Sequence, residues 1–234
     1  MAAAQEKNGK TEELTLPEKL NEFIQKNRRL LLICLIAILV ILAGLITGIT
    51  IREKIQSKAF SQVEGFNIRY EALRIFIDKD DEEGLAKQAD IDALLDELRV
   101  FEGKKSGFAA ARAYCISASI YADQKKWAES ERAWFMASKE AGKSYLAPVS
   151  LYNAAVAAEE QGNIDVAIGL YNQALAFGNV FPSAARAQFS IGRLEESRNN
   201  REAALEAYRN LVSKWPGDQV WGNLAQSRIV VLSE

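Results

Sequence analysis

The chain contains no histidine, two cysteines, two methionines and four prolines in 234 residues. Without imidazole there is no Ser-His-Asp or Cys-His nucleophile pair and no histidine ligand for zinc. Cys34 falls in an uncharged apolar run and Cys115 in the polar remainder. These two cannot build a disulfide framework or a four-thiolate metal site within one chain. A catalytic centre would have to consist of carboxylates and hydroxyls. The pairs Glu159-Glu160 and Glu195-Glu196 are the candidates. They sit near the ends of expected helices, where charge faces water, so the sequence reads as non-enzymatic, with no cofactor or metal. The acidic run Asp78 to Glu83 lacks the alternating ligands and spaced glycine of an EF-hand and reads as a solvated loop.

A basic stripe is also missing. Residues 59–234 carry 20 basic and 25 acidic side chains, a net charge of −5. Phosphate binding needs clustered Lys and Arg, so nucleic acid is excluded as the expected partner.

What the chain does have is a run of 22 residues, Leu30 to Ile51, without a charge. At 1.5 Å per residue such a helix covers roughly the 30 Å of bilayer hydrocarbon. A cleaved signal peptide would have a shorter apolar core and a small-residue cleavage site. The run therefore reads as an uncleaved anchor, and the membrane as a partner through one helix. Lys19, Lys26, Arg28 and Arg29 precede it, and Arg52, Lys54 and Lys58 follow. The Arg28-Arg29 pair abutting the run favours a cytoplasmic N-terminus and places the remainder in a bacterial periplasm. Gly44 and Gly48 form a G-x-x-x-G pair that would allow close helix pairing, which leaves a homo-oligomer open.

Residues 1–29 are expected to form a cytoplasmic tail, disordered over the first 15. Within it, Leu20, Phe23 and Ile24 are at helical spacing after Pro17, as a short separate helix or as a continuation of the span. Residues 52–106 read as a juxtamembrane helical pair. Ala59, Phe60, Val63, Phe66, Tyr70, Leu73 and Phe76 form the stripe of its first helix, and Leu94, Leu95 and Leu98 that of its second.

Residues 107–216 repeat themselves. Ser130, Ala167 and Ala204 recur at intervals of 37. Trp134, Tyr171 and Tyr208 follow four positions later, and Ala137, Ala174 and Leu211 three beyond those. Ala118, Ala155 and Gly192 stand twelve residues before the first set. Small residues at matching positions let two helices approach, and an aromatic side chain fills the space beside them. This is the pattern of paired antiparallel helices, three times over. It resembles the tetratricopeptide repeat, which has small residues at its eighth and twentieth positions, an aromatic at the twenty-fourth and Ala at the twenty-seventh. The second repeat matches best, with Ala155, Gly162 at the turn, Ala167, Tyr171 and Ala174. Tyr121 in the first and Pro216 in the third match further positions. The period departs from the family's 34 residues, whereas Pro148, Pro182 and Pro216 do recur at 34. Pro148 and Pro182 suit the first turns of helices. The expected fold is all-α: a transmembrane helix at 30–51, an α-solenoid of helical hairpins, and a capping helix at 217–234 with Trp221, Leu224, Ala225, Arg228, Ile229 and Leu232 on one stripe.

In that family the first helix of each repeat lines a protein-binding groove. The resemblance implies Arg112, Cys115 and Ser119 from the first repeat, and Val149, Tyr152, Asn153 and Val156 from the second. The third supplies Arg186, Phe189, Ser190 and Arg193. Only Asn153 and Arg186 match the carboxylate clamp of some family members, so a cytosolic chaperone-tail adaptor is not expected. Tyr152 and Phe189 are either aromatic anchors for a partner or buried by a neighbouring helix or subunit. The layout of tail, single span, helical pair and repeats is similar to the bacterial ancillary subunit of the Sec translocon. That likeness implies an adaptor with translocon subunits and exported chains as partners. A structural subunit of a large envelope assembly, such as a flagellar motor ring or collar, is the other reading.

Overall fold

The computed structural model describes residues 15–77, 79 and 81–234, and of Arg52 the backbone alone. The expected disordered tail, and Asp78 and Asp80 of the acidic loop, lie outside the described residues. No strand occurs among them, and the chain divides into two compact units at Ile55/Gln56.

Helix α1 (Leu16–Leu73) begins in the first unit and ends in the second. Of the two readings open for Leu16 to Asn27, the structure has the continuous helix. The first unit holds the one segment, among the described residues, that is long and apolar enough to cross a membrane. None of its apolar window is buried within the chain. Along the apolar run the Thr47 and Thr50 hydroxyls donate to the carbonyls of Ala43 at 2.8 Å and Ile46 at 3.0 Å, one turn back on the same helix.

The second unit opens with the rest of α1 and with α2 (Glu82–Lys104), whose N-cap Asp81 accepts the Gly84 N–H at 2.7 Å. Ala59, Val63 and Tyr70 of α1 are buried with Ile91, Leu94, Leu98 and Phe101 of α2. Phe60 is 37% exposed and leaves the expected stripe. Three hairpins follow: α3 (Phe108–Asp123) with α4 (Trp127–Ala141), α5 (Leu146–Glu160) with α6 (Ile164–Leu175), and α7 (Ala184–Ser197) with α8 (Arg201–Lys214). Helix α9 (Gln219–Ser233) closes the array. Among its stripe residues Ala225 is buried and Trp221, Ile229 and Leu232 pack beside it. Leu224, expected on that stripe, is 45% exposed instead.

The small positions are where the paired helices touch. Ser130, Ala167 and Ala204 are completely buried, as are Ala118 and Ala155. The Ser130 hydroxyl donates to the Ala118 carbonyl at 2.9 Å, which joins the two small positions of the first repeat. In the third, a Cβ on Gly192 would stand 2.5 Å from the Tyr208 ring.

All three hairpins share one turn. Lys125, Gly162 and Asn199, 37 residues apart, adopt positive φ of 56°, 76° and 60°. Each is followed by an N–H that reaches back five residues: Lys126 to Tyr121, Asn163 to Ala158 and Asn200 to Glu195, at 2.8–2.9 Å. This is the Schellman stop, which satisfies the last carbonyls of the first helix. The connections between hairpins are less regular. Pro148 is buried in the first turn of α5, as expected, but Pro182 is exposed and lies before α7, after the short 3₁₀ turn Gly178–Val180. Equal spacing of the prolines therefore does not mean equal placement.

Candidate protein-binding groove

The first helices α3, α5 and α7 carry every residue expected in the groove, and with α9 and the end of α1 they form a surface that divides into an open part and a self-filled part. On the open part, Arg112 of α3 pairs with Glu64 of α1 at 3.1 Å. Beside it Cys115 lies 3.7 Å from the Ser150 hydroxyl. Burial pushes its thiol up to about 11, against the pull of that hydroxyl. Two adjoining concavities occupy this part, of about 350 and 200 Å³. Tyr70, Arg74 and Ser119 line both. Arg112 and Cys115 border the larger, and Asn153 and Val156 the smaller. Among the described residues, the Asn153 carboxamide has no hydrogen-bond partner in the chain.

The self-filled part holds Tyr152, Arg186, Phe189 and Arg193, and Ser190 beside them is buried. Tyr152 is 8% exposed, in the core between Tyr171 at 5.2 Å and Phe181 at 6.2 Å. Of the two readings for this residue, burial by neighbouring helices of its own chain is the one observed. Phe189 is half-buried, with its centroid 5.3 Å from both Tyr208 and Trp221. The Arg186 guanidinium lies over Tyr152 at 5.3 Å and over Trp221 at 5.8 Å. Arg193 pairs with Glu159.

That last pair belongs to a device not anticipated from the sequence. Glu159, at the end of α5, accepts the Tyr171 hydroxyl at 2.5 Å as well as Arg193 from the following hairpin. Glu196, at the end of α7, accepts the Tyr208 hydroxyl at 3.1 Å and Arg228 of α9. Each carboxylate thus ties its own hairpin to the next helix through charge-assisted bonds. Burial and the adjacent carboxylates hold both phenols protonated far above the usual range. A variant opens the array: Asp123, ending α3, accepts the Tyr70 hydroxyl at 2.7 Å, with Arg74 at 3.4 Å. Glu159, Glu195 and Glu196 do not face water as the sequence led one to expect. Their side chains are 15%, 9% and 25% exposed, and Glu195 is held by Arg198 and Asn200. The available signal was the shared 37-residue interval of Glu159 to Glu196 and of Tyr171 to Tyr208.

Stacked helical hairpins with a small-residue and aromatic code, a repeated turn and a groove along the first helices define an α-solenoid interaction scaffold. A model of the tetratricopeptide repeat matches residues 152–219. The chain is 31% identical over 226 residues to a protein of Treponema pallidum (strain Nichols) described as a TPR repeat-containing protein, covering 92% of this chain and 93% of that one. The chain belongs to the tetratricopeptide-repeat proteins, whose repeats mediate protein–protein interactions.

Proposed function

We propose that this protein is a membrane-anchored adaptor of the bacterial periplasm. In this reading the Leu30 to Ile51 run crosses the inner membrane with the N-terminus cytoplasmic. The repeat unit outside holds segments of other proteins, chains leaving the Sec translocon among them. The supporting observation is the division of the groove. The face carried by α7 and α9 is filled by the chain's own Phe189, Trp221, Arg186 and Arg193. The face around Arg112, Ser119 and Asn153 is open. An unfilled stretch with unspent hydrogen-bonding groups suits a transient extended segment, whose backbone needs such partners.

The layout that resembles the ancillary translocon subunit supports the location. The test is photo-crosslinking from position 119 in intact cells, followed by detergent extraction and mass spectrometry. The adaptor predicts translocon components together with a spread of exported chains. One abundant envelope protein in stoichiometric yield would replace it with a fixed structural subunit of an envelope assembly, and cytosolic proteins alone would overturn the orientation.

A further inference from the structure

The carboxylate, phenol and guanidinium that tie successive hairpins occur twice in full: Glu159, Tyr171 and Arg193, then Glu196, Tyr208 and Arg228. Moving the first set back by the 37-residue period gives Ala122, Trp134 and Val156. None can ionise, and all three line the smaller concavity of about 200 Å³ on the open part of the groove. Where the second and third hairpins receive an arginine from the next helix, the first presents a notch whose wall includes the Trp134 indole, Ala122 and Val156. Its rim is polar. Asn153 stands on one side, and on the other Asp123 is already engaged by Tyr70 and Arg74.

We propose that this notch seats one aliphatic side chain, of leucine, isoleucine, valine or methionine, from an extended peptide segment of a partner protein. The proposal rests on the groove reading above and assigns its anchoring subsite. The choice of occupant follows from three features. Val156 stands at the repeat position of Arg193, and beside this shorter side chain lies a concavity of about 200 Å³. The two charges in its lining, Asp123 and Arg74, are paired with each other, so the head of a lysine or arginine would find no free counter-charge there and would be desolvated beside an arginine. Asn153 lines the same notch, and its carboxamide, unbonded among the described residues, can accept a backbone N–H and donate to a backbone C=O of a bound segment.

The test fills the notch with the chain's own device. The triple substitution Ala122→Glu, Trp134→Tyr and Val156→Arg rebuilds the set found in the second and third hairpins. This variant is expected to fold and to melt no lower than the parent. A phage-displayed dodecapeptide library is panned against the detergent-solubilised full chain. Selected peptides are then synthesised and titrated against parent and variant. The expected result is one fixed aliphatic position in the selected sequences, with binding to the variant weaker by about tenfold or more, the loss of one buried aliphatic side chain. Peptides that bind both proteins within about twofold, sequences with no aliphatic position, or a library that yields no binder would each overturn the proposal. A parent that sediments as a dimer, dissociated by the triple substitution, would assign the notch to a second copy and overturn it too. Crosslinking from position 119 tests separately whether partners reach the groove, so failure of the subsite and failure of the adaptor are told apart.

Discussion

The Phe189 ring lies 5.3 Å, centroid to centroid, from the Trp221 indole, inclined to it by 46°. Residue 189 belongs to the groove-lining helix of the third hairpin and residue 221 to the closing helix, so α9 covers the very surface that a partner would otherwise take. Tilted aromatic pairs at this distance contribute about 0.5–1.5 kcal/mol beyond the area they bury. A double-mutant cycle of Phe189→Ala and Trp221→Ala, followed by urea unfolding of the solubilised chain, is expected to show coupling of that size. Additive effects would mean that α9 does not seal this end.

Tyr152 and Asn153 are chain neighbours with opposite fates. Tyr152→Ala removes a buried aromatic and should cost about 3 kcal/mol or more, as truncation of core aromatics does. Asn153→Ala, at a half-buried residue whose side chain has no hydrogen bond among the described residues, should stay within about 0.5 kcal/mol. Chemical denaturation of both variants decides the matter. A mild Tyr152→Ala would return that residue to the groove.

Two glycines are required for different reasons. At Gly192 an added Cβ would collide with the Tyr208 ring, which Glu196 holds in place, so Gly192→Ala should destabilise by about 1–3 kcal/mol. At Gly162 a Cβ meets nothing within 4 Å, but φ is +76°. Gly162→Ala should cost about 1 kcal/mol through the backbone alone. If both cost the same, close helix approach is not what fixes the glycine of the third hairpin.

Alkali should loosen the repeat unit. The Cys115 thiol is raised from 9.0 to about 11, and the phenols of Tyr70, Tyr171 and Tyr208 are raised from 10.0, all first by burial. The folded chain keeps these protons where the unfolded chain releases them. Their contribution is therefore complete below about pH 9 and is lost progressively above it. Melting temperature measured from pH 8 to 11.5 should fall over the upper range. Tyr208→Phe should soften that fall, and a flat profile would deny the burial of these groups.

The sequence made the hairpins legible because the side-chain volume at a helix crossing must be small wherever two helices touch. Ala118 with Ser130 and Gly192 with Tyr208 show that rule in single residues. It left the groove only half-legible, because a position on the first helix does not reveal what the next helix brings. Arg193 reaches Glu159 from 34 residues away, and Trp221 reaches Phe189 from a helix whose packing angle no local pattern encodes. The turns were read from Gly162 alone. Lys125 and Asn199 hold the same left-handed conformation, imposed by the Schellman bonds in spite of their side chains.

Which stretch of the groove meets other proteins is the central question for this protein. A photo-crosslinking amino acid placed in intact cells at position 153, and separately at position 189, addresses that directly. Strong protein adducts from 153 and few from 189 are predicted, because one position is open and the other is occupied by Trp221. Adducts mainly from 189, or none from either position, would contradict it.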